Sequence, residues 1–282
     1  MSFPVAIVVN SFVSRGRVGG RGQTFALERL GIEPWFVPTV VLPFHPGHGT
    51  ATRVETADAD FAGVVDDLIA RGLEGVSTLL TGYLGSTAQM PHLLRLIEAV
   101  RKANPDVTIC CDPVIGDANG LYVNEALALS ILENLVPAAD ILTPNRFELS
   151  WLTGHPVTTN TQILEAVAAL QAPGVLVTSA HAMMRGNMAN LLVSGSRAWL
   201  AEASAIDHPP HGTGDLMAAL FAGGIAHGME LDAALSRATA AVHDVLAFTG
   251  PGAEEIALVA GQDRLTGPRV PVSLRTLAMV RA

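Results

Sequence analysis

The sequence is poor in charged residues, and this shortage narrows the classes of protein to which it can belong. Charged residues make up 15% of the 282 positions, and acidic residues outnumber basic ones by 26 to 17. The formal net charge is −9, and no cluster of Lys and Arg occurs anywhere in the sequence. Binding to nucleic acid depends on a basic surface. We therefore expect no nucleic-acid partner.

Cysteine is nearly absent as well, with two residues, Cys110 and Cys111, that are adjacent. Both fall in an apolar run, 107–111, that predicts a strand, where neighbouring side chains point to opposite faces. We therefore expect no disulfide between them. Two thiols without a metal-ligand pattern are typical of core residues in a reduced, cytoplasmic protein.

Long apolar runs are missing too. No segment reaches the roughly 18 residues that a membrane helix needs, so we expect no membrane partner. The N-terminus has neither a basic region nor a cleavage site, which again predicts a cytoplasmic protein. Hydrophobic residues still make up 49% of the chain, enough for one large core. We expect a single domain over residues 1–282.

Short apolar runs alternate with helical segments along most of the chain. Strands are predicted at 5–9, 34–41, 76–81, 107–111, 141–142 and 175–178. Helices are predicted at 23–30, 59–71, 87–103, 124–135, 146–152, 163–170, 216–226, 233–248 and 254–260. Two further runs flank Ser194-Gly195-Ser196 and predict a β-hairpin at one edge of the sheet. The alternation is typical of a doubly wound α/β fold, with a mostly parallel central sheet flanked by helices.

Polar residues recur where the predicted strands end. They include Asp112 and Asp117, the pair Asn145 and Glu148, and the segment 178–179. Ligands of such sheets bind beyond the carboxyl ends of the strands, where these side chains would meet. Magnesium on nucleotide phosphates takes a few carboxylates and several waters, and these acids can supply that shell. The pattern favours a phosphotransferase over a generic α/β enzyme.

The segment Gly212-Thr213-Gly214-Asp215 comes directly before a helical run of small residues. A turn of this kind aims backbone N–H groups at one point, and the helix dipole adds positive charge there. A phosphate can bind at such a turn. Asp215 allows two interpretations. It is either the base that takes a proton from an attacking hydroxyl, or an acid favoured by the dipole in a first helical turn.

Two histidines, His45 and His48, lie in the Gly- and Pro-rich segment 43–50, which predicts a loop. A metal site is one interpretation, but no carboxylate or cysteine accompanies them at useful spacing. We interpret them as substrate-facing or solvated loop residues. We assign His211, which precedes the Gly-Thr-Gly turn, no chemistry.

The set of motifs resembles the ribokinase-like superfamily, and within it the pyridoxal kinase branch. The resemblance covers about residues 5–260. Each motif is weak alone, but their order and spacing are specific. They are Ser11 with Arg15-Gly16 and Val18-Gly19, Leu30-Gly31, the segments 81–85 and 111–117 with 121–123, Thr143-Pro144-Asn145 with Phe147-Glu148-Leu149, and Gly212 to Asp215.

This resemblance implies an ATP-dependent kinase that phosphorylates the 5′-hydroxymethyl group of pyridoxal and related B6 vitamers. Asp215 would be the general base, and Gly212, Thr213 and Gly214 would complete the anion hole for the phosphoryl group. Mg²⁺ would be held by Asp112 and Glu148, mostly through water. The remaining nucleotide-binding positions, which contact or lie near the triphosphate, would be Asp117, Thr143, Asn145, Thr178 and Ser179. A monovalent cation such as K⁺ and a homodimer are further expectations from the family.

On the vitamin side, the resemblance implies that Ser11 hydrogen-bonds the pyridine ring, with Val18, Tyr83 and His45 around it. Here the sequence departs from the family. It has Phe12 and Gly20 where pyridoxal kinases usually have His and Asn. It also has Phe44-His45-Pro46 where they have Asn-His-Thr. The nucleotide side therefore matches better than the vitamin side.

Two other functions stay open. A hydroxymethylpyrimidine kinase is a sibling enzyme, although such relatives usually carry Cys at the position of Asp215. A protein that binds B6 or nucleotide without turnover is the second alternative. The presence of Asp112, Glu148 and Asp215 opposes it, because a binding protein needs no base.

Overall fold

The computed structural model describes residues 3–279 and is built around a ten-stranded sheet. Its strands are β1 (Val5–Val13), β2 (Glu33–Leu42), β3 (Val54–Glu55), β4 (Val76–Thr81), β5 (Thr108–Cys111), β8 (Ile141–Leu142), β9 (Gly174–Ala180), β10 (Asn187–Ser194), β11 (Arg197–Ser204) and β12 (Ser273–Leu277). A separate antiparallel pair consists of β6 (Gly116–Asp117) and β7 (Gly120–Leu121). The spatial order is β12-β11-β10-β9-β8-β5-β4-β1-β2-β3.

The six central strands, from β9 to β2 in that order, run parallel. Their connections contain most of the helices, as right-handed crossovers require. The helices are α1 (Gly20–Arg29), α2 (Asp58–Arg71), α3 (Gln89–Ala103), α4 (Glu125–Ser130), α5 (Arg146–Thr153), α6 (Asn160–Leu170), α7 (Thr213–Ala226), α8 (Leu231–Thr249) and α9 (Asp263–Thr266). A π-helical segment, Ile131–Leu135, continues α4. The predicted doubly wound α/β fold is confirmed.

Alternation along the buried strands supplies a core on each face of the sheet. Ile7 and Val9 face the core that includes α2 to α6, whereas Ala6 and Val8 face the core formed with α1, α7 and α8. The two cysteines follow the same rule. Cys111 lies in the first core and Cys110 in the second, both as free thiols, as predicted.

Helix α7 is buried on all sides, which explains its apolar and small-residue sequence. Every residue from 216 to 224 is buried between the sheet, α1 and α8. A methyl group at Gly223 would lie 2.6 Å from Leu30 Cδ1, so glycine lets α1 approach closely. This packing fixes the position of the turn at residues 212–215.

Three details differ from the sequence-based expectations. Strand β1 continues past its predicted end at Val9, through Asn10 and Ser11 to Val13. The predicted hairpin is present as β10–β11, but β12 pairs outside it, so it lies one strand in from the edge. The segment 254–260 is not a helix, because its backbone turns and bridges to His211 through Glu255. Within residues 3–279, no helix is both long and apolar enough to cross a membrane.

Leu80 tests the core between the sheet and helices α1, α7 and α8. Its side chain on β4 is fully buried, so Leu80→Ala should lower the free energy of unfolding by about 2–5 kcal/mol. Urea unfolding curves measure this change. Leu129→Ala is the matched control, because Leu129 on α4 is 41% exposed and should lose much less. Equal losses in the two variants would contradict this assignment of the core.

Candidate active site

A cleft of about 610 Å³ opens at the carboxyl ends of the parallel strands. Polar residues follow β5 and β8 there, and the N-terminus of α7 closes one side. The predicted site residues that line it are His45, Asp112, Asp117, Thr143, Asn145, Glu148, Thr178, Ser179, Gly212, Thr213, Gly214 and Asp215. The structure thus brings most of the predicted residues into one cavity. Ser11, Val18 and Tyr83 lie outside its lining.

Asp215 lies in the first turn of α7, and both of its carboxylate oxygens accept hydrogen bonds. Oδ1 accepts from Asn10 Nδ2 at 3.1 Å, and Oδ2 accepts from the backbone N–H of Gly19 at 2.9 Å. Burial raises the pKa of Asp215, and these two donors oppose that rise because they stabilise the ionised form. The carboxylate is therefore held in a fixed position on the wall of the cleft.

Asn10 is fully buried, and its side chain is hydrogen-bonded to four residues. Besides Asp215, Nδ2 donates to Gln23 Oε1 at 2.9 Å. Its Oδ1 accepts from the N–H groups of Ser11 at 2.7 Å and Tyr83 at 3.0 Å. One amide group thus ties α1, the end of β4 and α7 to β1.

The turn before α7 requires glycine. Gly212 is the N-cap residue and has a φ of 91°, in the left-handed region that favours glycine. A methyl group there would also lie 2.7 Å from Val18 Cγ1. The N–H of Leu216 already donates to the Gly212 carbonyl at 3.0 Å. The first N–H groups of a helix have no partner within it, so those of Thr213, Gly214 and Asp215 can donate hydrogen bonds to an anion. The Asp215 carboxylate and these donors share one helical turn.

Glu148 lies across the cleft from this turn and is 3% exposed. Its Oε1 accepts from the N–H groups of Ile115 at 3.0 Å and Gly116 at 3.4 Å, and its Oε2 from that of Asn145 at 2.9 Å. Asn145 caps α5 in return, by accepting from the Glu148 N–H at 2.9 Å. The Asn-x-x-Glu spacing is thus a capping box that fixes the loop after β8.

Three carboxylates, from Asp112, Glu148 and Asp215, lie close enough to influence one another. Burial and repulsion from Glu148 and Asp215 raise the pKa of Asp112 well above its usual range. Burial also raises the pKa of Glu148 to about 7, against the effect of its backbone donors. A buried group of acids that resists full ionisation is suited to a hard divalent cation, since oxygen donors are the ligands that Mg²⁺ prefers. The residues present therefore fit a magnesium ion.

The nucleotide-side residues differ in their surroundings. The hydroxyl of Thr143 is buried beside the Asp112 carboxylate, whose pKa it lowers, and it lines the cleft where a ligand can reach it. Ser179 has a φ of 56°, which is strained for a residue with a side chain and is typical of functional sites. Burial alone would raise the pKa of Asp117, but hydrogen bonds from Tyr122 and Asn119 outweigh this effect and lower the pKa.

Val18 lies on the loop that joins β1 to α1, and Ser11 and Tyr83 lie next to this loop. A methyl group at Gly19 would lie 2.4 Å from Ser11 Oγ, so the loop is packed directly on this hydroxyl. Val18 belongs to a small apolar cluster against which Tyr83 packs. The Tyr83 hydroxyl accepts a hydrogen bond from Arg53 Nη1 at 2.8 Å. Asn10 connects these three residues to Asp215, although the three residues do not line the cleft that Asp215 lines.

The segment between β2 and β3, residues 43–53, is here called the flap. It brings His45 and His48 over the turn that precedes α7. The His45 and His211 rings stack with centroids 4.1 Å apart. Burial, together with the neighbouring His211 and His48, lowers the pKa of His45 to about 4. His211 therefore belongs to the site, although the sequence assigned it no chemistry.

Sequence reasoning also missed Asn10 as a site residue. Its signal was a polar side chain inside a β-branched strand run, but the partners of that side chain come from distant parts of the chain. Other residues that line the cleft were not predicted as site residues. They are Val114, Ala118, Tyr122, Arg146, Phe147, Ser150, Val157, Pro209, Pro210 and His211.

Comparisons with known proteins agree with this geometry. A family model described as phosphomethylpyrimidine kinase matches residues 51–257. The pyridoxal kinase PdxY of Rubrobacter xylanophilus is 38% identical over 279 residues, which cover 96% of each chain. The corresponding enzyme of Deinococcus radiodurans is 36% identical over 275 residues, covering 93% of this chain and 92% of its own.

Solved structures lead to the same family. Pyridoxal kinase from Entamoeba histolytica superposes with a TM-score of 0.89 at 26% identity, covering 98% of this chain and 100% of its own. Pyridoxal kinase from Leishmania donovani, in complex with ADP and pyridoxamine, superposes with a TM-score of 0.90 at 25% identity, covering 97% and 99%. With similarity along nearly its whole length, this chain belongs to the pyridoxal kinase family.

Proposed function

We propose that this protein transfers the terminal phosphoryl group of ATP to the 5′-hydroxymethyl group of pyridoxal and related B6 vitamers. The products are the 5′-phosphate and ADP. The observation that carries the proposal is the turn at the start of α7. It combines a carboxylate held by two donors with the N–H groups of a buried helix. Phosphoryl transfer to an alcohol needs this combination of a base and an anion-binding site.

Asp215 acts as the general base. Its carboxylate takes the proton of the substrate hydroxyl as the oxygen attacks phosphorus. Asn10 and the Gly19 N–H hold it in one orientation, which keeps the reacting groups aligned. Gly212, Thr213 and Gly214 complete the turn, whose N–H groups bind the phosphoryl oxygens as charge moves onto them.

The opposite wall of the cleft binds ATP. Thr143 offers a buried hydroxyl beside Asp112, and Thr178 and Ser179 lie on the neighbouring strand β9. Asn145, after β8, and Asp117, at the end of β6, line the same cleft. These five residues contact or surround the phosphates of the nucleotide.

Asp112 and Glu148 hold Mg²⁺, largely through water. Glu148 already accepts hydrogen bonds from three backbone N–H groups. Because these donors occupy most of its lone pairs, its contact with the ion is made through water molecules. When bound, the ion neutralises charge on the triphosphate. A monovalent cation such as K⁺ is a further part of this proposal.

The B6 vitamer occupies the side of the cleft next to the β1–α1 loop. Ser11 hydrogen-bonds the pyridine ring, Val18 and Tyr83 line its pocket, and His45 lies on the flap above it. Because the vitamer must reach Asp215, the loop and the flap have to move to admit it. The chain acts as a homodimer in the cytoplasm, in keeping with its family.

A hydroxymethylpyrimidine kinase is the second candidate, since the matching family model is described as phosphomethylpyrimidine kinase. The relatives that match over the full length are pyridoxal kinases, and they favour the vitamer as acceptor. A binding protein without turnover is the third candidate. Assays with pyridoxal, pyridoxine, pyridoxamine and hydroxymethylpyrimidine, with ATP and Mg²⁺, separate the three.

Asp215→Asn should abolish most of the turnover. The amide keeps the size of the side chain but cannot accept the proton, so kcat should fall by a factor of about 10²–10⁴. ADP affinity, measured by calorimetry, should change little, because the nucleotide wall is untouched. Asp60→Asn, at an exposed acid in the first turn of α2, is the matched control and should keep full activity. Full turnover by Asp215→Asn on a vitamer would exclude Asp215 as the base.

Asn10→Ala tests how Asp215 is held ready as a base. The variant removes a donor to the ionised carboxylate, so the pKa of Asp215 rises. The base works only when it is ionised. The acid limb of the pH–activity profile, where activity falls as pH is lowered, should therefore move to higher pH. The pH dependence of kcat/KM measures the shift of this limb.

Gln23→Ala is the control for this experiment. Gln23 is fully buried beside Asn10 but is bonded to Asn10 rather than to Asp215. The Gln23→Ala variant should have a lower free energy of unfolding, but the acid limb of its pH–activity profile should stay nearly in place. If both variants shifted the limb equally, the effect would come from general loosening of the site.

A further inference from the structure

Three histidines meet where the flap lies over the start of α7. His45 and His48 come from the flap, and His211 directly precedes Gly212. The centroid of the His48 ring lies 6.0 Å from those of both other rings. The phosphoryl-transfer mechanism gives His48 and His211 no task. The cluster therefore calls for a separate explanation.

The ring nitrogens converge. One nitrogen from each of the three imidazoles lies within 4.8 Å of the other two. Zinc binds histidine nitrogen at about 2.0–2.1 Å, so the nitrogens of a tetrahedral site lie about 3.4 Å apart. Small side-chain rotations that move each nitrogen by about an ångström would bring the three nitrogens to this spacing. His48 and His211 lie at the surface, so these adjustments do not disturb the packed core.

Gly47 leaves space between two of these nitrogens. A methyl group at this position would lie 2.8 Å from His211 Nε2 and 2.9 Å from His45 Nδ1. Both atoms therefore face a volume that any other residue type would fill. The Gly47 N–H donates to His45 Nδ1 at 3.1 Å, so the lone pair of this nitrogen points towards Gly47. An ion bound at His45 Nδ1 would replace this hydrogen bond.

We propose that His45, His48 and His211 form a binding site for a borderline transition-metal dication such as Zn²⁺. Three imidazoles are a ligand set that such ions prefer, and they leave a fourth position for water. Glu254 Oε2 lies 3.9 Å from His48 Nδ1 and can orient that ring from outside the ligand set. The site differs in chemistry from the all-oxygen set of Asp112 and Glu148, which suits Mg²⁺.

A bound ion would join the flap to the first turn of α7. These two segments are distant in sequence and meet at the mouth of the cleft. The tether would hold the flap in the position seen here, over the anion-binding turn. Ion binding would also stabilise the folded chain, by an amount that rises with the logarithm of the free ion concentration above Kd.

Zn²⁺ titration of the metal-free protein, followed by calorimetry, tests the site. An excess of Mg²⁺ occupies the carboxylates, and no turnover is measured, so the result is independent of the proposed kinase reaction. We expect one Zn²⁺ per chain. His48→Ala and His211→Ala should each weaken binding by at least about tenfold, since even outer-shell changes cost that much. His155→Ala, at an exposed histidine elsewhere, should bind as the wild type does.

Gly47→Ala is a second test that retains all three imidazoles. Its methyl group fills the space between His45 and His211, so binding should weaken here too. Thermal unfolding of each metal-free variant checks that it is folded. Absence of Zn²⁺ binding in the wild type would overturn the proposal. Unchanged affinity in folded His48→Ala and His211→Ala would overturn it as well, by placing the ion on other ligands.

Discussion

The side chain of Asn10 is the interaction on which the site depends. It is buried inside β1, where a polar group without partners would be costly. Its amide and carbonyl are satisfied by α1, by the end of β4 and by Asp215. The cost of burying an amide in a strand is thus offset by hydrogen bonds that also orient the carboxylate. Stability of the sheet and alignment of the base are coupled through one residue.

Sequence patterns predicted the fold well because each depends on local physics. The apolar runs of β4 and β9 are buried on both faces, which the doubly wound arrangement demands. The residues after them could be placed at one edge from topology alone. The patterns failed at 254–260 and at β12, where tertiary contacts determine the backbone. There β11 supplies the partners of β12, and no local signal marks the pairing.

The two sides of the site were predictable to different degrees for the same reason. Asp112, Thr143 and Glu148 follow strand ends in the sequence, and the structure brings them together. Asn10 and His211 were not recognised as site residues, because their partners are contributed by remote segments. Ser11 is covered by the Gly19 loop, which is a consequence of how β1 continues past its predicted end. Burial by distant residues cannot be inferred from spacing.

The adjacent thiols on the two faces of β5 have a practical consequence. They are the two cysteines of the chain, and both are fully buried. Burial raises the pKa of Cys111 to about 12 and moves that of Cys110 in the same direction. Alkylating reagents attack thiolates, so neither sulfur reacts while the sheet is intact. Since one thiol faces each core, their two rates of labelling would record whether both layers of helices open together.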